Sequence, residues 1–119
     1  MSTRATYQIR SGFSTVTFYI HHDGYFSGAA SYFKDTLDLM RISGRPLLPC
    51  FLWANKRAYL TDEHEAHGDT EYRYDIERRV GEWFVAAYKR KSYDSDVFEM
   101  EWSGPIHNFV IQHTKQGAA

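Results

Sequence analysis

"ATYQIRSGFSTVTFYIHHDGYF", residues 5–26, is the stretch whose reading decides the fold. Ala5, Tyr7 and Ile9 alternate with Thr6 and Gln8, and Val16, Phe18 and Ile20 alternate with Thr15, Thr17 and Tyr19. Successive side chains on a strand point to opposite faces, so each run has one apolar face and one polar face. Ser11-Gly12 between them is a turn signal, and the two runs read as a hairpin. At His21 the alternation stops. Asp23-Gly24 marks a tight turn, and Ser27 stands where a helix N-cap is expected.

The apolar period then changes from two to three and four. Ala30, Phe33, Leu37 and Met40 form the inner stripe of a helix over 28–42, with Lys34, Asp35, Asp38 and Arg41 facing water. Gly44 and Pro46 end it. The following run, "PLLPCFLWANKRAYL", predicts a short helix over 49–60 with Pro49 in its first position, then a polar connection through Asp69. Alternation returns at Tyr72, Tyr74 and Ile76, residues 83–90 read as the next strand, and alternation recurs in Phe98, Met100 and Trp102. Short polar turns join these runs, which predicts an antiparallel three-strand meander. Ser103-Gly104-Pro105 opens a last short helix carrying Ile106, Phe109 and Val110.

The order is ββα(α)βββα. It predicts an α+β fold: one antiparallel sheet, made of the N-terminal hairpin and the C-terminal meander, with helices on one face. Phe33, Leu37, Met40, Val16, Phe18, Ile20, Tyr74 and Phe98 are the expected core.

At 119 residues the chain reads as one domain over 1–119, large enough to bury a core without disulfide or metal. Net charge is −1, which argues against a generic nucleic-acid binder and against an acidic DNA mimic. Aromatic content is 17%, rich in tyrosine, which suits a broad contact surface as well as a β-rich core. The single cysteine, Cys50, lies in an apolar run and reads as a small core residue. No apolar run is long enough to span a membrane, and "MSTRATYQIR" lacks the apolar region of a signal peptide, so the expected location is the cytoplasm with no membrane partner.

Two polar clusters are candidates for chemistry. "HHD" and "HEAHGD" offer His21, His22, Asp23, His64, Glu65, His67 and Asp69, whose nitrogen and oxygen donors suit a divalent transition metal. The spacing argues the other way. "HEAH" does not place its glutamate as the HExxH motif requires, and His21 and His22 point apart if the strand continues. Polar turn histidines are the commoner outcome, so neither metal nor cofactor is expected. Cys50 has no basic neighbour to stabilise a thiolate, and no phosphate-cradling glycine loop occurs. The cationic run "YKRKSY", residues 88–93, reads as a solvated turn.

"STRATYQI", "TFYIHHDGY" and "GAASYF" together resemble a group of small phage, prophage and plasmid proteins. These begin with an STR(A/S)T strand and carry an H-x-DGYP corner leading into a helix. The resemblance covers residues 2–40 and, more weakly, the "WSGPI" ending. His21, Asp23, Gly24 and Tyr25 match the corner, and Phe26 replaces its proline. The resemblance implies origin in a mobile genetic element and carries over no catalytic residue. Small proteins of such elements often act by binding and blocking a host defence complex, as anti-CRISPR proteins do. The expectation is therefore a non-enzymatic inhibitor in the bacterial host cell, contacting a defence complex through Arg57, Tyr72, Arg73, Tyr88 and Tyr93. A self-associating accessory protein is a further reading, and the alternative from another class is a small His/Asp metal-dependent hydrolase or nuclease.

Overall fold

Six strands form a single mixed sheet in the order β3-β2-β1-β4-β5-β6, seen in a computed structural model that describes residues 3–118, with side chains as far as Thr114. β1 (Ala5–Ser11) and β2 (Ser14–Ile20) pair antiparallel through the expected hairpin, with Tyr7 opposite Phe18. β4 (Tyr72–Arg79), β5 (Glu82–Arg90) and β6 (Phe98–Pro105) form the expected meander. Val80 and Gly81, both at positive φ, make the tight turn between β4 and β5.

The antiparallel expectation fails at one seam. β1 and β4 run parallel, with Tyr7 opposite Tyr74 and Ile9 opposite Ile76. Parallel neighbours require a long crossover, and the whole segment between β2 and β4 supplies it. That crossover holds α1 (Phe26–Ser43), α2 (Leu47–Ala54), β3 (Tyr59–Thr61) and a 3-10 turn at His64–Ala66.

α1 starts earlier than expected. Its N-cap position is Tyr25, with no side-chain capping bond, so Ser27 lies inside the helix. Gly44 ends it at φ 70, a left-handed conformation that glycine adopts without strain. α2 begins at Leu47 and stops at Ala54, which places Pro49 inside the first turn, where its missing N–H costs no helical bond. The predicted end of that helix is instead β3, paired to β2 with Leu60 opposite Phe18. α3 spans Ile106–Ala118, and Ser103–Pro105 belongs to β6 rather than to a helix start.

α1, α2 and α3 cover one face of the sheet. Phe33 from α1, Phe51 from α2 and Phe109 from α3 surround the Tyr7–Tyr74 pair, whose rings stack at 4.9 Å. Phe18, Ile20, Phe33 and Tyr74 are buried as expected, while Val16, Leu37 and Met40 pack partly buried at the margin. Phe98 is not core. A bulge between Ala87 and Tyr88 lets Trp102 face the helices and leaves Phe98 on the opposite face, where Arg73 stacks on it at 3.8 Å.

The two central tyrosines differ in one respect. Tyr74 donates its hydroxyl to the Gly24 carbonyl at 2.5 Å, whereas the Tyr7 hydroxyl has no hydrogen-bond partner among the described residues. Burial pushes both phenols well above their ordinary pKa. Tyr74→Phe should therefore cost about 1–2 kcal/mol, and Tyr7→Phe should leave stability unchanged or raise it by up to about 1 kcal/mol. Urea denaturation of the two variants checks the contrast, and equal losses would refute it.

Candidate functional site

The "HHDGY" corner is architecture. Asp23 adopts φ 57, and the Gly24 N–H donates to Thr3 O at 2.9 Å while its carbonyl receives Tyr74. A Cβ on Gly24 would sit 2.7 Å from Ala5 Cβ, and one on Gly28 would sit 2.1 Å from the Asp23 carbonyl oxygen. The chain passes so close to itself here that both positions need glycine. The Asp23 carboxylate accepts the Tyr25 hydroxyl at 3.0 Å and does not cap α1.

The two histidine clusters do meet, around the Tyr19 ring. His67 stacks on it at 3.9 Å and His21 stands edge-on at 4.7 Å. His67 Nε2 lies 2.9 Å from Thr61 Oγ1. The Tyr19 hydroxyl donates to Asp69 at 2.7 Å, and Arg4 Nε lies 3.3 Å from the same carboxylate oxygen. Burial and Asp69 together push the Tyr19 phenol far above its ordinary pKa. His22 sits at the exposed corner, where its carbonyl accepts the Tyr32 hydroxyl at 3.0 Å. Among the described residues no group of three His, Cys, Asp or Glu side chains is placed to hold a metal ion.

His64 goes elsewhere, onto the sheet face that the three α-helices leave open. Its Nδ1 lies 2.6 Å from Thr6 Oγ1 and its Nε2 lies 2.7 Å from Asp75 Oδ1. Hydroxyl, imidazole and carboxylate in a row have the order of a nucleophilic triad. Thr6, however, is 0% exposed, so no substrate reaches its hydroxyl. The chain of bonds instead pins the 62–70 connection to β1 and β4.

Arg90 fastens the same connection from its other side. Its guanidinium donates to the carbonyls of Thr70 and Gly68, each at 2.8 Å, and to that of Ser95 in the β5–β6 turn. The cationic run read as a solvated turn therefore contains a structural clamp, while Lys89, Lys91, Ser92 and Tyr93 are exposed.

The five expected contact residues do not share a surface. Tyr72 lies on the helix side, its ring 5.3 Å from Phe26. Arg73 and Tyr88 are cross-strand neighbours on the open face, and burial lowers the pKa of Arg73 and raises that of Tyr88. Tyr88, with Gln8, Arg10, Asp75, Glu77 and Phe84, lines a shallow groove of about 380 Å³ whose charges are mixed. Tyr93 projects from the β5–β6 turn. Arg57 lies at the other edge of the sheet, just before β3.

Around Arg57 the chain builds the surface that best fits a contact site. Leu39 to Thr61 contains no Asp or Glu, but it contains Arg41, Arg45, Lys56 and Arg57. α2 turns Leu47, Cys50 and Phe51 inward and still carries apolar side chains on its outer side. Ile42, Trp53, Tyr59 and Leu60 are between 58% and 75% exposed. Tyr59 and Leu60 face opposite sides of the sheet, so the surface is centred on Trp53; an exposed aromatic side chain among cations of one segment suits an interaction surface better than a lone apolar residue does.

Two hollows flank the end of α2. One, of about 350 Å³, is lined by Leu39, Ser43, Arg45, Pro49, Cys50 and Trp53. The other, of about 320 Å³, is lined by Ile20, Tyr32, Ala54, Asn55, Lys56 and Arg57. Lys56 lies between them, its Nζ 5.4 Å from the centre of the Trp53 ring. Asn55 is 6% exposed; its Nδ2 donates to Phe51 O at 2.8 Å, and its Oδ1 has no hydrogen-bond partner among the described residues. Burial pushes the Tyr32 phenol up to about 12, against the opposing pull of Arg57. The sequence signal for this end is the long run without acids, hidden when charge is summed over the whole chain.

No family model matches the chain, no curated protein is similar to it, and no solved structure matches it.

Three measurements check the structural roles assigned here: variant stability, melting temperature with Zn²⁺, and protease cleavage. Gly28→Ala should cost about 3 kcal/mol, because its new methyl meets backbone rather than a movable side chain, while Asp23→Asn should stay within about 0.5 kcal/mol of the parent. Added Zn²⁺ should leave the melting temperature unchanged; a rise that His21→Ala or His67→Ala removes would restore the metal reading. His64→Ala should cost about 2 kcal/mol by leaving Thr6 and Asp75 without their partner. Arg90→Lys should cost a similar amount, since one ammonium cannot span three carbonyls. Both should speed protease cleavage within 62–70, and unchanged cleavage would show that the connection is held by other contacts.

Proposed function

We propose that this chain is a non-enzymatic binding protein of a mobile genetic element, acting as an inhibitor of a bacterial defence complex in the manner of anti-CRISPR proteins. The observation that carries the binding reading is the end of α2, where the exposed Trp53 ring has Lys56 Nζ 5.4 Å from its centre and the two flanking hollows are lined by Arg45 on one side and Arg57 on the other. Aromatic and arginine side chains dominate the energetics of protein interfaces, because each buries a large area and retains a polar handle. The sheet behind them supports it with a rigid frame, and binding then requires little ordering of the backbone. The direction toward a defence complex rests on the resemblance of the "STRAT" strand and "HHDGY" corner to phage and plasmid proteins; Ser2 of that strand lies outside the described residues.

The buried Thr6 hydroxyl and the fully engaged His64 ring favour this reading over hydrolysis. No helix of the described residues is long and apolar enough to cross a membrane.

The test is a phage-challenge panel of bacterial defence systems expressed with and without the protein, followed by titration against the purified complex that is affected. Inhibition should reach completion near one inhibitor per target and should survive chelation. Loss of target function at catalytic amounts, abolished by a chelator, would replace the binding reading with the metal hydrolase.

A further inference from the structure

We propose that the α2–β3 end docks an extended, acidic polypeptide segment of the partner, with Lys56 and Arg57 pairing its carboxylates and Asn55 accepting one of its backbone N–H groups. The inference rests on the binding-protein reading and adds the chemistry of the partner.

Three independent features point to the same occupant. Charge comes first. With no acid between Leu39 and Thr61, the cations Arg45, Lys56 and Arg57 have no partner within their own segment. Among the described residues none of the three makes an ion pair with an acidic side chain, whereas Arg41 is held by Asp38 at 3.4 Å. A surface left with unpaired charge of one sign gains most from a partner of the other.

The second feature is the edge of the sheet. β3 is the outermost strand, three residues long, so one side of its backbone faces no neighbouring strand. An extended chain laid along that edge would complete its hydrogen bonds, as in recognition by strand addition. Lipid headgroups and phosphate backbones offer no matching ladder of amide donors and acceptors.

The third is Asn55. It lines the hollow shared with Lys56 and Arg57; its side chain is buried, its amide nitrogen is committed to Phe51 O, and its Oδ1 has no hydrogen-bond partner among the described residues. A buried acceptor without a partner costs stability unless a donor arrives. A polypeptide N–H supplies the donor, and carboxylates two residues apart on an extended chain lie on one side of it, toward the two cations. The groove between Leu39, Pro49 and Trp53 lies beyond Lys56, placed for an apolar side chain of the same segment.

The experiment uses the full chain and four defined probes. These are a fluorescein-labelled peptide mixing Glu with Leu and Phe, its Gln-for-Glu counterpart, a single-stranded oligonucleotide of the same net charge, and vesicles containing phosphatidylserine. Anisotropy reads affinity; NMR reads the Trp53 indole and Asn55 side-chain amide signals. The acidic peptide should bind and shift both signals, and the Gln peptide should bind at least tenfold more weakly. Lys56→Glu with Arg57→Glu, and separately Trp53→Ala, should each weaken the acidic peptide by tenfold or more. Arg78→Glu with Arg79→Glu, an equal charge change on β4, should alter it less than threefold.

Equal affinity for the two peptides, preference for the oligonucleotide or the vesicles, or peptide binding that leaves Asn55 and Trp53 unshifted would each overturn the proposal. If the Lys56→Glu, Arg57→Glu protein still inhibits its target at one-to-one, the docking site fails while the inhibitor reading survives on another face. If the acidic peptide binds here but no defence complex is inhibited, the docking site stands and the inhibitor reading fails.

Discussion

The contact on which the rest of the structure depends is the stack of Tyr7 on Tyr74 across the parallel seam between β1 and β4. It joins the N-terminal hairpin, with β3 at its side, to the C-terminal meander, two units that would otherwise be separate sheets of three strands each. Between them the two rings meet aromatic side chains of all three helices, Tyr7 those of α1 and α2 and Tyr74 those of α1 and α3, and such tilted and edge-on pairs stabilise beyond the area they bury. The Tyr74 hydroxyl reaches out of this core to the Gly24 carbonyl, and that bond sets where the chain must turn after β2. The corner at Asp23 and the two close glycines follow from it. A histidine-rich turn that invites a metal reading is therefore the outer surface of a constraint set by two tyrosines.

The parallel seam explains which parts of the fold were legible in the sequence. Alternation in β1, β2 and β4 shows which face of each strand is apolar, and those faces are the ones observed. A period of two is the same for parallel and antiparallel neighbours, so it says nothing about which way β4 runs beside β1. That choice is decided by tertiary packing of the crossover. β3 was hidden for a related reason: Tyr59–Thr61 is too short to show alternation, and it follows an apolar run that reads as helix. Phe98 was misplaced because one bulge residue exchanges the faces on either side of it.

The candidate site divides along the same line. His64 looks in the sequence like any polar loop histidine, since Thr6 and Asp75 are distant in the chain and only the folded sheet brings them to its two nitrogens. Arg90 likewise reads as one charge among several, and its three carbonyl partners become visible only once the 62–70 connection and the β5–β6 turn meet at it. The basic, acid-free run from Leu39 to Thr61 is present in the sequence but is invisible to net charge, which the acids of residues 62–71 and 94–101 bring back to −1. Charge matters to binding over distances of about 10 Å, so the segment is the scale on which it should be read.

The same arrangement bears on why the exposed end does not simply pair with itself. A short apolar edge strand beside an exposed tryptophan is a template for self-association, and edge strands are commonly protected by charge. Here charge flanks the strand at both ends, Lys56 and Arg57 before it and Asp62 and Glu63 after it, and charged side chains at an edge oppose the close approach of a second sheet. Keeping the strand to three residues limits the backbone that a second copy could grip. Neither safeguard opposes an acidic partner at the Lys56–Arg57 end, where the cations become attractive and the short edge a register mark. One set of side chains thus raises the free energy of the wrong complex and lowers that of the proposed one, which is how a small surface gains selectivity without a larger contact area.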